Sequence, residues 1–442
     1  MKNKKVFILG MARSGFEAAK LLAKDNEVLI TDMKDQDEKQ VAILNELNVK
    51  VVITKDPIDL LDNSYDLLVK NPGIRKDHPT LIKAREYHIP IINELELAYH
   101  YLPKNVHVIG VTGSNGKTTT TTLIYEFLHA SGKPTFLGGN IGIPFSQFVL
   151  DVKEGDYVGL EVSDHQLCDV KDFKTNTSIL TNIYPVHLDF HDSFDQYKEM
   201  KKRIFAHHTK EDIAIINKDN IEAFNLTKNI LSTKKYFSRL GKSDCYLENE
   251  MIYYQNEKII DIKDILLKGY HNYENIMAAI LAVKSYGVSN EAIKKVLTTF
   301  KGVEHRIEFV KNVKGVAYYN DSKATNCEST KIALKSFQNP TLLILGGLDR
   351  GHSFEDLTEA MSNVKYVACY GETKNRIEEY CKSMSIPCDS FENLKEATLM
   401  CYQKAQANDI VLLSPACASW DQYDSFETRG TEFKKIVNSL EE

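Results

Sequence analysis

The sequence predicts an α/β protein of three domains: a Rossmann-like N-terminal domain over residues 1–96, a P-loop ATPase-type central domain over residues 97–302 and a Rossmann-like C-terminal domain over residues 303–442. Short apolar runs alternate with helical segments along the chain, a pattern typical of parallel sheets covered by helices. The length of 442 residues is about three times an ordinary domain of ~150 residues. A glycine-rich phosphate-binding pattern that begins at Gly110 places a nucleotide site in the central domain.

In the N-terminal domain, a helix is predicted over residues 14–22, between strands at residues 6–9, 28–31, 51–53 and 67–69. The loop Gly10-Met-Ala-Arg-Ser-Gly15 lies where a dinucleotide fingerprint would, but Ala12 takes the place of its middle glycine, and Asp32 closes the second strand. Three interpretations stay open: NAD binding, a tight turn that binds nothing, and binding of the diphosphate of a nucleotide-linked substrate. We favour the last.

The central domain contains Gly110-Val-Thr-Gly113-Ser-Asn-Gly116-Lys117-Thr118, between a predicted buried strand over residues 106–111 and a helix over residues 119–130. Glycines free backbone N–H groups to wrap phosphate oxygens, and the helix N-terminus adds partial positive charge. Lys117 is expected on the β- and γ-phosphates and the Thr118 hydroxyl on Mg²⁺. The leading glycine of the general pattern is displaced, because Val111 stands at its position. A chance glycine-rich turn is the simpler alternative, but the flanking strand and helix favour ATP use.

Two acid- and histidine-bearing segments follow predicted strands of this domain. Glu161 ends a strand over residues 157–162 and is expected to point toward the phosphate loop as a Mg²⁺ ligand. His187 follows a strand over residues 178–183 and could bind a second Mg²⁺ or a substrate group, although a lone loop histidine is more often a surface residue. The pair His187 and His191 indicates zinc only weakly, since the nearby acids fit a hard cation better. The remaining predictions here are a strand over 213–217, a small antiparallel insertion over 232–262, and helices over 197–206, 273–287 and 291–300.

The C-terminal domain is predicted to have strands over residues 316–320, 342–345, 364–370 and 410–413, with helices near 353–362, 373–384, 394–405 and 425–440. Three polar segments, 269–275, 304–308 and 320–326, are dense in groups that bind nucleotides. Each has a simpler interpretation, such as helix capping by Asn272 or Ser322 or a surface ion pair of Arg306. All three together favour a binding site, with Arg306 able to hold phosphate.

Composition excludes several classes of function. A net charge of −6 without a dense Lys/Arg stripe gives no support for nucleic-acid binding. No apolar stretch approaches the ~20 residues needed to cross a bilayer, and the run at residues 6–9 is too short for a signal sequence. The eight cysteines are scattered without a C-x-x-C pair, which favours reduced thiols and a cytoplasmic location.

Taken in order, these segments resemble the Mur ligases, the ATP-dependent amide-forming enzymes of peptidoglycan precursor synthesis, over the whole chain. Thr112-Gly-Ser-Asn-Gly-Lys-Thr118 matches the family's own phosphate loop, which accounts for the displaced leading glycine. Within the family, three segments are similar to the branch that adds D-glutamate to UDP-N-acetylmuramoyl-L-alanine. They are His305-Arg-Ile-Glu308, Asn320-Asp-Ser-Lys-Ala-Thr-Asn326, and Leu412-Leu-Ser-Pro-Ala-Cys-Ala-Ser-Trp-Asp421 with Phe426 and Arg429-Gly430.

The resemblance implies that ATP phosphorylates the substrate carboxylate and that the amino group of D-glutamate attacks the acyl phosphate. The catalytic residues it implies are Lys117, His187, Lys201 and Lys323. The ATP-binding residues are Gly113, Asn115, Gly116, Lys117, Thr118, Thr119, Asn272, Asn275, Arg306 and Asp321. The Mg²⁺ ligands are Thr118, Glu161, His187 and Lys201, the last once carbamylated, with Lys202 beside it in sequence.

For the substrates, the resemblance places the UDP moiety at Ala12, Arg13, Ser14, Lys34 and Gly73, and a substrate-contacting loop at Asn140. It places D-glutamate at Thr325, Arg350, Ser419, Trp420 and Phe426. We expect a monomer that works on these small molecules, without nucleic acid or membrane.

The chain departs from the family pattern at two positions. Asp164-His165 stands where the family commonly has Ser-Phe, which adds an acid next to the metal-binding strand, and Arg350 stands where some relatives carry Lys. Two rivals from other classes are a nicotinamide-dependent oxidoreductase and a non-catalytic nucleotide-binding switch. A sibling ligase that adds another amino acid is the nearest rival among enzymes.

Overall fold

The computed structural model describes residues 1–185 and 190–441. The chain forms two compact units, one of residues 1–265 and 270–299 and the other of residues 266–269 and 300–442. Three sheets with mostly parallel strands, covered by helices, confirm the predicted α/β class. The finer boundaries at 96/97 and 302/303 stay predictions.

The first sheet has the strand order β3-β2-β1-β4-β5, and each pairing is parallel. This is the order of a doubly wound nucleotide-binding sheet, in which ligands bind at the carboxyl ends of the strands near the switch between β1 and β4. The elements are β1 (Lys5–Leu9), α1 (Arg13–Ala23), β2 (Glu27–Asp32), α2 (Glu38–Glu46), β3 (Lys50–Ile53), a 3₁₀ turn (Pro57–Leu60), β4 (Leu67–Lys70), α3 (Pro79–Glu86), β5 (Ile91–Asn93) and α4 (Glu94–Tyr99).

The loop between β1 and α1 is tight because its two glycines touch. A Cβ on Gly15 would lie 1.9 Å from the Gly10 carbonyl oxygen, and Gly10 itself has φ +96°. Asp32 accepts a hydrogen bond from the Met11 N–H at 2.7 Å, so its carboxylate holds this loop. The N-terminus of α1 carries no side-chain cap, because Ala12 occupies the cap position. Its N–H groups therefore face the end of the sheet where ligands bind.

The second sheet has the order β14-β13-β12-β11-β10-β9-β6-β8-β7. Within this sheet β6 pairs in parallel with β8 on one side and β9 on the other, so the segments that follow these three strands lie side by side. Its strands are β6 (His107–Thr112), β7 (Thr135–Gly139), β8 (Tyr157–Glu161), β9 (Thr177–Leu180), β10 (Ile213–Asn217), β11 (Thr233–Ser238), β12 (Cys245–Glu248), β13 (Met251–Tyr254) and β14 (Glu257–Asp261). Its helices are α5 (Lys117–Ala130), α6 (Phe145–Phe148), α7 (Asp164–Leu167), α8 (Phe194–Lys202), α9 (Ile221–Leu226), α10 (Tyr270–Lys284) and α11 (Asn290–Leu297), with 3₁₀ turns at Val149–Asp151, Arg203–Phe205 and Ile262–Asp264.

The segment 232–262 differs from the predicted antiparallel insertion. Strand β11 continues the parallel sheet beside β10, and only β12, β13 and β14 form an antiparallel meander. Strands β10 and β11 are joined through α9 and pair in parallel, a crossover that the short alternating runs within 232–262 do not indicate. Helix α8 begins three residues before the predicted start, because the Ser193 hydroxyl accepts from the Gln196 N–H at 3.2 Å and caps it.

The third sheet, in the second unit, has the order β15-β16-β20-β17-β18-β19, with β15 antiparallel and the other strands parallel. Short edge strands β15 and β19 were absent from the prediction, and the segment near 353–362 forms a 3₁₀ helix. The elements are β15 (Glu308–Val313), β16 (Val316–Asn320), α12 (Cys327–Lys335), β17 (Thr341–Gly346), the 3₁₀ helix (Phe354–Asn363), β18 (Val364–Tyr370), α13 (Lys374–Ser383), β19 (Cys388–Phe391), α14 (Leu394–Lys404), β20 (Ile410–Leu413) and α15 (Phe426–Asn438).

Candidate functional site

The glycine-rich loop between β6 and α5 has a backbone that only glycine fits. Gly113 has φ +143°, and a Cβ there would lie 2.0 Å from Thr181 Oγ1. Gly116 has φ +82°, and a Cβ there would lie 2.1 Å from Asn275 Oδ1. Both glycines permit positive φ and close approach, so the loop packs tightly against its neighbours and brings the N-terminus of α5 to this edge of the sheet.

The segment that follows β9 supports this loop. Asn182 accepts from the Ser114 N–H through its carbonyl at 2.9 Å and from the Asn115 N–H through its Oδ1, also at 2.9 Å. The Thr181 hydroxyl donates to the Asn115 carbonyl at 2.6 Å. No role was predicted for Thr181 and Asn182 from the sequence. Their position immediately after a buried strand was the available signal.

Lys117, the first residue of α5, folds back over the loop. Its ammonium donates to the carbonyls of Gly113 at 2.8 Å and Ser114 at 2.9 Å. A positive charge is therefore held directly on the loop, at the N-terminus of α5. This is the position from which a lysine neutralises phosphate oxygens.

A chain of hydrogen bonds joins Thr118, Glu161 and Asn140. The Thr118 hydroxyl donates to Glu161 Oε2 at 2.7 Å, and the Asn140 amide donates to Oε1 at 2.8 Å. Thr118 and Glu161 are both only 3% exposed. A hydroxyl and a carboxylate that share one buried point beside a phosphate loop fit a hard, oxygen-seeking cation such as Mg²⁺. The predicted position of Glu161, at the carboxyl end of β8, agrees with the structure.

Lys201 is the buried lysine of the 201/202 pair, with no exposed surface. Its Nζ lies 3.0 Å from Asp164 Oδ1 and 3.4 Å from Thr112 Oγ1. Burial lowers the pKa of the Lys201 amine, while the Asp164 carboxylate and, more weakly, Glu161 pull that pKa upward. His187, predicted beside this group, lies outside the described residues.

A cavity of about 470 Å³ opens at the carboxyl end of the first sheet. Five of the predicted substrate residues come together in its lining, whereas Lys34 is exposed and lies outside the lining. Asn140 belongs both to this cavity and to the hydrogen-bonded chain with Glu161, so the cavity reaches the phosphate-loop region. The lining residues are Ala12, Arg13, Ser14, Asn71, Pro72, Gly73, Glu94, Gly139, Asn140, Gly142, Pro144, Ser163, His165 and Gln166.

Glu94, at the start of α4, is a lining residue that the sequence did not single out. It is almost fully buried and accepts from the Ser146 N–H at 2.5 Å. Burial raises the pKa of its carboxyl from 4.5 to about 7, against the opposing effect of the Ser146 hydrogen bonds. The folded state therefore holds this proton more tightly than the unfolded state does.

From this difference we expect the free energy of unfolding to fall as pH rises from about 4.5 to about 7, because the buried carboxylate is less stable in the folded state than in the unfolded state. Glu94→Gln should remove that dependence, so that the variant gains up to about 3 kcal/mol over the wild type between pH 5 and pH 8. Urea unfolding of the wild type and Glu94→Gln at both pH values measures this difference in the free energy of unfolding. Glu86→Gln, an exposed change on α3, is the matched control and should leave the wild-type dependence unchanged. Parallel pH curves for wild type and Glu94→Gln would contradict the assignment.

Asn272 and Asn275 on α10 lie beside the phosphate loop in the same unit. The Asn275 amide donates to Asn272 Oδ1 at 3.4 Å, and the Thr120 hydroxyl donates to Asn275 Oδ1 at 3.3 Å. Both asparagines are buried. Thr119 is buried in the first turn of α5, next to Thr118. The predicted nucleotide residues of the first unit thus converge on one loop.

In the second unit, Asp321 follows β16 and is buried. Its carboxylate accepts from the Ser414 hydroxyl at 2.7 Å and from the Ile307 N–H at 3.2 Å. Burial raises the pKa of Asp321 to about 7, opposed by the Ser414 hydrogen bond and by the charge of Arg306. Two predicted nucleotide residues, Arg306 and Asp321, are therefore neighbours.

The remaining predicted residues of this unit lie on loops that follow its strands, except Phe426, which is the first residue of α15. The Arg350 guanidinium lies 4.7 Å from the Trp420 ring centre, and the Lys323 ammonium lies 5.6 Å from the ring centre of Phe426. Ser419 is 2% exposed, and Thr325 is half-buried. Two cations, two hydroxyl groups and two aromatic rings suit a small dicarboxylate.

Arg429 was quoted in the sequence pattern but given no role, and the structure gives it a clear one. It is fully buried on α15. Its guanidinium donates to the Ser322 hydroxyl at 2.9 Å, to the Ser322 carbonyl at 2.8 Å and to the Cys417 carbonyl at 3.1 Å. Arg429 therefore ties the loop that carries Asp321 and Lys323 to the loop that carries Ser419 and Trp420.

Known protein families match the chain in two places. The Mur ligase middle domain matches residues 111–283, which contain the phosphate loop, and the Mur ligase glutamate ligase domain matches residues 305–417. The chain belongs to the Mur ligase family, as its sequence pattern predicted.

The chain is similar over its full length to members of one branch of this family, the ligases that add D-glutamate. The chain is 41% identical to the UDP-N-acetylmuramoylalanine--D-glutamate ligase of Geobacillus sp. (strain WCH70), over 99% of this chain and 98% of the relative. It is 44% identical to the protein of the same name from Enterococcus hirae, over 99% of this chain and 97% of the relative.

Solved structures share the fold over nearly the whole chain. The UDP-N-acetylmuramate-alanine ligase of Thermotoga maritima has a TM-score of 0.65 at 19% identity, with 99% of this chain and 100% of that chain covered. The MurF ligase of the same organism, solved in complex with ADP, has a TM-score of 0.60 at 17% identity, with 99% and 96% covered. At these identities the likeness establishes the fold, which is that of the Mur ligases.

Proposed function

We propose that this protein joins D-glutamate to UDP-N-acetylmuramoyl-L-alanine at the expense of ATP. The observation that carries the proposal is the series of hydrogen bonds that joins Thr118, Glu161 and Asn140. It connects the phosphate loop to the cavity that Arg13 and Ser14 line. A nucleotide-linked acid in that cavity has its reactive end directed toward a triphosphate on the loop. The names of the full-length relatives support the same pair of substrates.

The proposed reaction has two steps. The carboxylate of the sugar-peptide attacks the γ-phosphorus of ATP, the bond to the β-phosphate oxygen breaks, and ADP leaves with an acyl phosphate formed. The amine of D-glutamate then attacks the acyl carbon, loses a proton, and expels phosphate. Charge accumulates on phosphoryl oxygens in both steps, so positioning and charge neutralisation are the main tasks of the protein. The Lys117 ammonium and the N-terminus of α5 would supply that neutralisation in the first unit.

Mg²⁺ fits this site, and Thr118 and Glu161 would hold it. When bound, the ion would neutralise phosphate oxygens and orient them. Asn140 keeps the Glu161 carboxylate aimed at the Thr118 hydroxyl through its own 2.8 Å hydrogen bond. His187 remains a proposed ligand from the sequence alone.

The UDP end of the substrate is proposed to bind at the N-terminus of α1. The N–H groups at the start of that helix and the Arg13 side chain suit a diphosphate. The Asp32 carboxylate is bonded to the Met11 N–H, so it is committed to the loop and is poorly placed to select a dinucleotide ribose. This favours the nucleotide-linked substrate over NAD.

The compartment is proposed to be the cytoplasm, and the protein is proposed to act as a monomer on small molecules without nucleic acid. In the part of the chain that the structure describes, no helix combines the length and apolarity that a membrane crossing needs.

The test offers the purified protein ATP, Mg²⁺ and UDP-N-acetylmuramoyl-L-alanine with each candidate amino acid. We expect ADP release and a product whose mass increases by one glutamyl residue only with D-glutamate. ADP release with a different amino acid would identify a sibling ligase. ADP release that needs neither substrate would identify a nucleotide switch, and binding of NADPH seen by fluorescence would support an oxidoreductase.

Arg350 is expected to set the affinity for D-glutamate, since its guanidinium, stacked on Trp420, can pair with a carboxylate. Arg350→Met should raise the KM for D-glutamate about tenfold or more, in line with the 1.5–3 kcal/mol of a charged hydrogen bond, and leave the KM for the nucleotide substrate near the wild-type value. Steady-state ADP release measures both constants. Lys395→Met, an exposed cation on α14, is the control. An unchanged KM for D-glutamate would remove Arg350 from the site.

A further inference from the structure

Arg376, on helix α13 of the second unit, contacts the loop that carries Arg350 on both sides of that residue. Its Nη1 lies 2.5 Å from Oδ1 of Asp349, which directly precedes Arg350. Its Nη2 donates to the His352 carbonyl, two residues after Arg350, at 2.7 Å. The guanidinium lies 5.5 Å from the ring centre of Phe354, which is buried. One planar side chain thus holds both flanks of the loop and packs on a buried ring.

The Asp349 carboxylate is also fixed within the loop itself. Its Oδ1 accepts from the Gly351 N–H at 2.8 Å, and Gly351 has φ +76°, so the chain turns tightly around Arg350. The Asp349 N–H donates to Glu372 Oε2 at 3.2 Å. The Gly351 N–H and, more weakly, the Arg376 guanidinium hold the pKa of the Asp349 carboxyl below its usual value, against the effect of burial. The carboxylate is therefore charged at neutral pH, which sustains its ion pair with Arg376.

The position of the Arg350 guanidinium depends on this loop. Arg350 is exposed, and its guanidinium lies 4.7 Å from the ring centre of Trp420, which is 63% exposed. A cation–π contact at an exposed site is weak, while a long side chain loses much rotamer freedom when it is held in one place. The backbone of residues 349–352 therefore has to direct Arg350 toward Trp420, and Arg376 fixes that backbone.

A simpler interpretation is that Arg376 forms an ordinary surface ion pair, which would contribute little. Its geometry differs from that case. Two separate nitrogens of one guanidinium bind two different points of the same loop, a carboxylate and a carbonyl. The planar fork of arginine is preorganised for such a double contact, whereas the single ammonium of lysine is not. The arrangement favours a role in the shape of the loop.

We propose that Arg376 is a positioning residue for the amino-acid substrate and that it sets the affinity for D-glutamate by fixing the loop that carries Arg350. Arg376 acts through Arg350 and makes no contact with the substrate itself. A cation that is already in place does not have to be ordered when the carboxylate binds, so less affinity is lost. The effect on D-glutamate rests on the proposed ligase function, whereas the state of the loop can be measured without any substrate.

The single tryptophan of the chain reports on this loop in the absence of substrate. The Arg350 guanidinium covers the Trp420 ring, so we expect acrylamide to quench the emission of Arg376→Met more strongly than that of the wild type, and about as strongly as that of Arg350→Met. Arg376→Lys, which can pair with Asp349 but cannot span both flanks, should lie between them. Lys382→Met, an exposed change on the same helix, is the matched control and should match the wild type. Wild-type quenching of Arg376→Met would overturn the proposal.

Steady-state ADP release measures the consequence for the substrate. Arg376→Met should raise the KM for D-glutamate about three- to tenfold and leave kcat and the KM for the nucleotide substrate near the wild-type values. An unchanged KM for ATP serves as the check that the variant is folded. In the Arg350→Met background, Arg376→Met should add little, because both changes remove the same interaction. Effects that add in full would overturn the positioning role. A wild type that releases no ADP would refute the proposed function, and the quenching series would still decide whether Arg376 holds the loop.

Discussion

Replacing Lys117 with alanine is expected to lower kcat for ADP release by about 1000-fold or more. The Lys117 ammonium lies on the Gly113 and Ser114 carbonyls, within the loop that would surround the phosphates. Loss of one preorganised donor to developing charge in an enclosed site costs ~10²–10³ in rate, and here a full positive charge is also lost. The residual rate should stay low at every ATP concentration, because the missing interaction is strongest in the transition state.

Two measurements separate this effect from unfolding. Urea unfolding of Lys117→Ala should stay close to the wild type, since the hydrogen bonds of Lys117 are to its own loop while Asn182 continues to hold that loop. Lys104→Ala removes an exposed cation that precedes β6, at the opposite end of that strand, and should keep the wild-type rate. Near-normal turnover by a folded Lys117→Ala would reject the phosphate-loop assignment.

Local patterns predicted the parts of the site that depend on a few consecutive residues. The glycines at 113 and 116 and the lysine at 117 form one motif, and their backbone requirement is visible in the sequence. The position of Glu161 followed from one rule, that the carboxyl ends of parallel strands meet at one edge of a sheet. The central parallel strands of all three sheets were predicted from a second local pattern, because buried strands are continuous apolar runs.

Contacts between distant residues could not be predicted in this way. The ion pair between Asp164 and Lys201 joins residues 37 apart on two helices, and each residue alone resembles many surface charges. Arg429 reaches Ser322 across 107 residues. The edge strands β15 and β19 are partly exposed and lack a long apolar run, and they exist because a neighbouring strand offers free hydrogen-bonding groups.

Glu161→Gln is the sharpest test of the proposed metal site, because the amide keeps the shape of the side chain and removes its charge. The glutamine oxygen can still accept from the Thr118 hydroxyl, which now bonds to Oε2 at 2.7 Å, so the loop should stay folded. A neutral amide is a weak ligand for a hard divalent cation, and the charge that balanced the cation is gone. We therefore expect kcat to fall by ~10²–10³ and the Mg²⁺ concentration for half-maximal activity to rise.

The decisive readout is the Mg²⁺ titration of ADP release at saturating substrates. A site held by Glu161 predicts that high Mg²⁺ restores part of the activity of Glu161→Gln, because the ligand set is weakened and Thr118 remains. Glu154→Gln, an exposed change on the loop before β8, should leave the titration unchanged. A loss of rate with an unaltered Mg²⁺ midpoint would show that Glu161 acts through Thr118 and Asn140 alone. The cation would then have to be held elsewhere, and His187 would become the first residue to change.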